Sequence, residues 1–265
     1  METIMAKNNK LMEKNYKLSI LMPAIRVDLW KNVYDSIKNT TKEDFELIIV
    51  SPYQLPEALE EYKNIKFVRD YGNPNRTFNI ALTLAEGEYT TWVPDDAIYQ
   101  PHAIDKAIYV LDRLKCKEKI IVSLSTIEAA RHYSEDFLYI NKHEEIRSNY
   151  IPDNYRFLAC GVFNTEYFKK LGGVSCEFET HAMAHVDLAI RAQDDGATVV
   201  FLPDIAMRLT HMPGTTGDHG PIHNAQIEHD QPLYRKIYEN PDREKVCHLD
   251  LFEWTKIAPV WNRRF

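Results

Sequence analysis

Two adjacent carboxylates, Asp95 and Asp96, follow a short run of aromatic and β-branched residues at 87–93. Such a run is typical of a buried strand, and Pro94 cannot donate to a strand ladder, so the acids should lie where the strand ends. Ligands gather at that edge of open α/β sheets, and two hard oxygen ligands there could hold Mg²⁺ or Mn²⁺ against a substrate phosphate. The alternative is a surface turn, because Pro and Asp are common turn residues.

The elements that would position these acids alternate between strands and helices. Compact apolar runs predict strands, and apolar residues three or four positions apart predict helices. The predicted strands are 18–22, 47–50 and 65–68, and the predicted helices are 27–39, 56–62 and 76–85. This alternation at short spacing predicts right-handed crossovers and a mostly parallel sheet, with the acids at the end of its fourth strand.

Beyond the acid pair the pattern is regular and then weakens. A periodic helix at 103–114 and a strand at 120–124 come first, whereas residues 125–156 show no clear period and could be a functional insertion. Order then returns. The later predicted elements are strands at 157–163, 198–202 and 205–209 and helices at 166–171 and 184–195.

The composition limits the class of protein. With 265 residues, of which 45% are hydrophobic, the chain can bury one large α/β core. A formal net charge of −7 and the lack of a dense basic stripe argue against nucleic acid as a partner. The four cysteines form no C-x-x-C pair, so we expect reduced thiols in a cytoplasmic protein.

The two ends of the chain carry separate expectations. Residues 1–16 are polar, which predicts a flexible segment rather than a signal peptide, and no apolar run in the chain is long enough to span a bilayer. The tail at 247–265 mixes aromatic and basic residues. We expect it to dock on the domain, because Pro259 interrupts any long amphipathic helix, and peripheral contact with a membrane surface is the alternative.

The order of the short motifs resembles that of glycosyltransferase family 2. The matching pieces are LSILMP at 18–23, FELIIV at 45–50, RTFNIAL at 76–82, PDD at 94–96, GVF at 161–163, LGG at 171–173 and VDLAIR at 186–191. The ordered set, which spans roughly residues 17–211, carries the resemblance. It implies an α/β fold: a single Rossmann-like A-type glycosyltransferase domain with a mostly parallel central sheet and helices on both faces.

The resemblance also implies a function and a division of the chain. The implied activity is metal-dependent transfer of a sugar from a nucleotide-diphosphate donor, above all a UDP-sugar, to a hydroxyl acceptor such as a glycan. Inversion is expected, and the setting would be surface polysaccharide or glycoconjugate synthesis. The glycosyltransferase domain would span residues 17–246, with a donor half at about 17–124 and an acceptor half at about 125–246.

By this resemblance, Asp96 and His211 are expected to bind the Mn²⁺ or Mg²⁺ ion, and Asp95 to contact the donor ribose or a metal-bound water. Pro94 stands where the family often has a further acid, so the metal site would depend chiefly on Asp96. A bound metal would stabilise the charge on the leaving nucleoside diphosphate. The alternative is a zinc site in the histidine-rich loop at 211–223, although its spacing does not match a standard zinc pattern.

Three residues ahead of the acid pair are expected to contact the donor. Arg76 and Asn79 lie one helical turn apart, so they share a face, and Arg76 could neutralise diphosphate oxygens. Asp70 could contact the base or the ribose. Local alternatives are a helix-cap arginine and a turn aspartate. Where the family usually has a base-contacting Asp, this chain has Ser51-Pro52-Tyr53, and Tyr53 could stack on a base instead.

An inverting transfer needs a base to take the proton of the acceptor hydroxyl. Matching the chain through residues 186–188 places Ala184 and His185 where the family commonly has Glu and Asp. His185, with its near-neutral pKa, or Asp187 is therefore expected to be the base. The alternatives are a solvated histidine and a favourable first-turn charge. A non-catalytic sugar-nucleotide or glycan-binding protein on the same fold is the competing functional class.

Overall fold

A computed structural model describes residues 16–114, 117–129, 139–141, 154–158, 160–209 and 219–265. Three expectations fall outside these ranges. They concern the flexible start of the chain, most of the weakly patterned stretch at 125–156, and the histidine loop that contains His211.

The centre of the fold is a nine-stranded sheet in the order β3-β2-β1-β4-β8-β6-β9-β5, with β7 paired to β6. The strands are β1 (Tyr16–Pro23), β2 (Phe45–Ser51), β3 (Ile65–Arg69), β4 (Gly87–Trp92), β5 (Ala97–Tyr99), β6 (Ile120–Ala129), β7 (Tyr139–Asn141), β8 (Cys160–Asn164) and β9 (Thr198–Leu209). The first four strands are parallel neighbours. Every residue of β2 is buried, as is typical of a strand inside a parallel sheet.

The second half of the sheet is mixed rather than parallel. Strand β8 runs antiparallel to both β4 and β6, β5 runs antiparallel to β9, and only β9 is parallel to β6. The prediction of a mostly parallel sheet therefore holds for β1 to β4. It cannot extend further, because apolar runs reveal where strands are but not in which direction they pair.

The two strands predicted near residue 200 form the single strand β9. Its pairing with β6 shifts register between Ser123 and Ser125, and the residues of β9 skipped by that shift are 202–204. Pro203 lies there, where it has no ladder hydrogen bond to donate. The bulge thus lets one strand continue past a residue that the sequence pattern treats as a break.

Helices cover the sheet on both faces. They are α1 (Trp30–Thr40), α2 (Glu57–Glu60), α3 (Pro74–Thr83), α4 (Ala103–Arg113), α5 (Thr165–Lys170), α6 (His181–Asp194), α7 (Gly220–Ala225) and α8 (Gln231–Tyr238). The two faces are marked by Tyr89 and Trp92, whose side chains point to opposite sides of β4. Tyr89 donates to Asp112 of α4, whereas Trp92 packs 5.6 Å from Phe78 of α3, measured between ring centroids.

The end of the chain lies across the domain. A short 3-10 helix, Leu251–Lys256, packs near α3, and the Trp261 N–H donates to the Tyr71 carbonyl at 2.8 Å. Further along, Arg263 pairs with Glu179 at 2.7 Å. The last fifteen residues therefore contact the loops at the carboxyl edge of the sheet. None of the described helices is long and apolar enough to cross a bilayer.

Candidate active site

A cavity of about 270 Å³ opens at the carboxyl ends of β1, β2 and β4. In parallel α/β sheets this edge is where ligands bind, because the loops that follow the strands converge there. The residues that line it are Pro23, Ala24, Ile25, Arg26, Val50, Pro52, Gly72, Pro74, Thr77, Pro94, Asp95, His181, Ala182, His219, Ile222, Gln226, Trp261, Arg264 and Phe265. The predicted Asp95 is among them, whereas Tyr53 is not.

Asp95 ties the loop after β4 to the loop after β1. Its Oδ2 accepts from the backbone N–H groups of Ile25 at 2.6 Å and Arg26 at 2.7 Å. Its Oδ1 accepts from the Arg26 guanidinium. The other terminal nitrogen of Arg26 lies 2.6 Å from His219 Nε2. A carboxylate and a guanidinium therefore form one rigid side of the cavity.

Asp96 is buried next to this pair, with its Oδ1 3.8 Å from Arg26 Nη1. In the part of the chain that is described, no group of three or more His, Cys, Asp or Glu side chains could hold a metal ion. This donor set still fits Mg²⁺, which is commonly held by one or two carboxylates together with substrate phosphates and water. Asp96 could supply such a carboxylate.

Asp70 and Arg76 form an ion pair with each other, and neither residue lines the cavity. Arg76 donates to Asp70 through both Nε and Nη2, at 3.1 and 2.9 Å. Its Nη1 donates to the carbonyls of Trp254 and Ile257, at 2.6 and 3.2 Å. The guanidinium is thus committed to holding the C-terminal segment. This geometry favours a structural role for the pair over contact with a diphosphate.

Asn79 shares a face of α3 with Arg76, as expected, but it too is used internally. Its Nδ2 donates to the Val174 carbonyl at 2.9 Å, and its Oδ1 accepts from the Val174 N–H at 3.1 Å. Gly173, which precedes Val174, has φ of +68°, and a Cβ there would lie 2.3 Å from Asn79 Oδ1. Asn79 therefore orders this glycine turn, and it lies outside the cavity.

Asp187 is placed in a buried ion pair. Its Oδ2 accepts from Arg191 Nε at 2.7 Å, one turn along α6, and its Oδ1 accepts from the Tyr238 hydroxyl at 2.6 Å. Burial beside this carboxylate raises the pKa of Tyr238. Arg191 also donates to the carbonyls of Leu171 and Gly173. Both carboxylate oxygens are thus engaged, and Asp187 does not line the cavity, an arrangement that favours a structural role over that of a base.

His185 lies one turn into α6, beneath the cavity rather than in it. Its ring stacks on His181 with 5.1 Å between centroids and sits 4.9 Å from the Trp92 ring. Its Nε2 is buried, and none of the residues that the structure describes hydrogen bonds to it. Burial, together with the neighbouring His181, lowers the pKa of His185 well below its usual value. The residues of α6 that line the cavity are His181 and Ala182, and of these only His181 has an ionisable side chain.

Several cavity residues were missed by reasoning from the sequence. Arg26 stands in the loop after β1, and Trp261, Arg264 and Phe265 come from the tail, which was expected only to dock. The aromatic and basic composition of the tail was a usable signal for Trp261 and Arg264. For Arg26 the available signal was its position after the first strand, at the same sheet edge as the acids.

The comparisons with known proteins agree with this architecture. No curated protein gives a significant match. Among solved structures, the crystal structure of S. aureus TarS 1-349 matches with a TM-score of 0.50 and 15% identity, covering 73% of this chain and 60% of that chain. The crystal structure of S. aureus TarS 1-349 in complex with UDP matches with a TM-score of 0.54 and 15% identity, covering 74% and 61%.

At this identity the likeness shows the fold, and the chain spans about three fifths of the length of those structures. The sequence profile described as Glycosyl transferase family 2 matches residues 19–172, which is more than half of the chain. The fold and the resemblance predicted from the ordered motifs are both confirmed. The chain belongs to glycosyltransferase family 2 and has its A-type fold.

Proposed function

We propose that this protein is a metal-dependent glycosyltransferase that moves a sugar, with inversion, from a nucleoside-diphosphate donor to a hydroxyl acceptor. A UDP-sugar is the proposed donor, and the acceptor is a glycan in surface polysaccharide or glycoconjugate synthesis. The observation that carries the proposal is the cavity at the carboxyl edge of the sheet, where Arg26 and Arg264 bring positive charge to a largely apolar enclosure. The UDP bound in the TarS complex supports the choice of donor.

The lining divides into parts suited to different parts of the donor. Proline and aliphatic side chains after β1 and β2 form an apolar wall that can accept a nucleoside. Arg26 has a planar guanidinium, a geometry that matches phosphate oxygens, and Asp95 holds it in place. Asp96 is the proposed metal ligand, with His211 as a predicted partner. When bound, Mn²⁺ or Mg²⁺ would neutralise charge that develops on the leaving diphosphate.

The direct test is ligand-induced thermal stabilisation. We expect UDP with Mn²⁺ to raise the melting temperature of the wild-type protein, because a ligand that binds only the folded state stabilises it. We expect Asp96→Asn, which keeps the shape of the side chain, to lose the Mn²⁺-dependent part of the shift. The matched control is Asp28→Asn, an exposed acid after β1. Absence of any shift with common nucleoside diphosphates would contradict the donor site.

A non-catalytic sugar-nucleotide-binding protein is the second candidate. The observation that favours it is that Asp187 is sequestered by Arg191 and Tyr238 and that His185 is buried. Release of UDP from UDP-glucose, UDP-galactose or UDP-N-acetylglucosamine by the wild-type protein, with water as the acceptor, separates the two. An enzyme releases UDP above the rate in buffer, whereas a binding protein shows stabilisation without release. A cytoplasmic location and peripheral membrane contact through the tail stay predictions.

A further inference from the structure

The first residue of α6, His181, is the base candidate that the cavity itself presents. Its side chain lines the cavity, whereas Asp187 and His185 do not. It stacks on His185 with an interplanar angle of 8° and packs edge-on against Phe78, at 5.5 Å between centroids. The ring is therefore held in one orientation by two neighbours. A base must hold such an orientation to meet an acceptor hydroxyl reproducibly.

The hydrogen bonds of Asn75 determine which nitrogen of His181 carries the proton. Asn75 Nδ2 lies within hydrogen-bond distance of three carbonyl oxygens, those of Ser175, Phe178 and Thr180, at 3.4, 2.8 and 3.1 Å. An amide nitrogen can only donate to these, so the amide orientation is settled and Oδ1 is the atom that faces His181. Oδ1 lies 2.9 Å from His181 Nδ1 and accepts only. Nδ1 must therefore be protonated, which leaves the lone pair on Nε2.

No described residue hydrogen bonds to His181 Nε2, so its lone pair is available to a molecule in the cavity. Two other side chains of the lining that could accept a proton, Asp95 and His219, are already hydrogen bonded. Asp95 accepts from two amides and a guanidinium, and His219 Nε2 accepts from Arg26. Burial lowers the pKa of His181 to about 4, which keeps the ring neutral near pH 7. A donor diphosphate nearby would raise that pKa, because negative charge favours imidazolium.

We infer that His181 Nε2 is the general base of this glycosyltransferase, in place of the two residues to which the family motif points. The inference rests on the proposed function. In the step, the acceptor O–H proton moves to His181 Nε2 while the hydroxyl oxygen forms a bond to the anomeric carbon. The bond from that carbon to the diphosphate oxygen breaks, and its electron pair stays on the nucleoside diphosphate. Asn75 then stabilises the imidazolium by accepting from Nδ1–H.

The test uses the full chain, UDP-sugars and water as the acceptor. We expect His181→Ala and His181→Gln to lower the rate of UDP release by about 100-fold or more, which is the usual size of a general-base contribution. UDP-induced thermal stabilisation should be retained, since donor contacts lie with Arg26. Added imidazole should restore part of the rate in His181→Ala and none in wild type. His223→Ala, an exposed histidine on α7, is the matched control and should keep the wild-type rate.

The outcomes separate the inference from the function. If the wild-type protein releases UDP and His181→Gln does so at the same rate, the base is another group and the function stands. If His181→Ala loses both stabilisation by UDP and activity, while His181→Gln keeps both, the residue is structural and the inference is wrong. If the wild-type protein is stabilised by UDP but releases none from any UDP-sugar, both the inference and the enzymatic function are overturned.

Discussion

Arg26 donates to Asp95, 69 positions further along the chain, and the same carboxylate accepts from the Arg26 backbone N–H. The pair joins the loops after β1 and β4 into one side of the cavity. A charge-assisted contact of this kind is stronger than a neutral hydrogen bond. Both the folding stability and the donor site should therefore depend on it.

Asp95→Ala should lower the free energy of unfolding by about 2–4 kcal/mol, because Asp95 is buried and its removal takes away the acceptor of two amides and one acceptor of the Arg26 guanidinium. UDP affinity should fall with it, since Arg26 is no longer held. Urea unfolding and titration calorimetry measure the two effects. Asp28→Ala is the control, and an unchanged UDP affinity in Asp95→Ala would show that Arg26 is placed by other contacts.

Asp187→Ala tests whether this residue is structural. The substitution leaves Arg191 buried without its carboxylate, so we expect a loss of about 3–5 kcal/mol in unfolding free energy. Asp187→Asn keeps an acceptor for Tyr238 and should cost less. UDP release per folded molecule should stay close to wild type in Asp187→Asn. A selective loss of activity in a fully stable Asp187→Asn would instead restore the expectation that Asp187 is the base.

Arg76→Lys tests the link between the tail and the cavity. A lysine has a single side-chain nitrogen, so it cannot donate to Asp70 and to the two tail carbonyls as the arginine does. The segment after residue 250 should therefore be held less tightly against the domain. Because Trp261 and Arg264 line the cavity, UDP affinity should fall while the core stays folded. Hydrogen exchange of the tail amides and calorimetry measure this. Arg113→Lys, an exposed position on α4, is the control.

The buried histidines predict a pH dependence of stability. His181 and His185 have pKa values lowered by burial, so below their ordinary value near 6.5 the unfolded chain binds more protons than the folded one. Stability should thus be constant above about pH 6.5 and fall as the pH decreases toward 5, by up to about 1.4 kcal/mol per pH unit for each histidine. His185→Gln should reduce this slope in urea unfolding at several pH values. An unchanged slope would show that other groups cause the pH dependence of stability.

The first four strands of the fold could be predicted because their determinants are local. Each strand from β1 to β4 is an apolar run, and a helix lies between each strand and the next. A helical crossover of this kind makes neighbouring strands parallel. The later strands could not be predicted in the same way. The direction of β8 and the continuity of β9 past Pro203 depend on which strands they pair with. The hydrophobic pattern of a sequence does not show which distant strands pair.

The sequence by itself determined the family, the order of the elements and the edge of the sheet where Asp95 and Asp96 lie, because apolar periodicity and motif order are properties of neighbouring residues. Only the tertiary structure decided which partners the polar residues have. Arg76 and Asp187 have the right chemistry for a donor site, but each is bound to partners that long-range packing supplies. Arg26 and His181 carry no such motif, and they become candidates because folding brings loops and a helix start to one cavity. A charged group in a protein interior is defined by the partners that replace its water, and those partners are set by the fold.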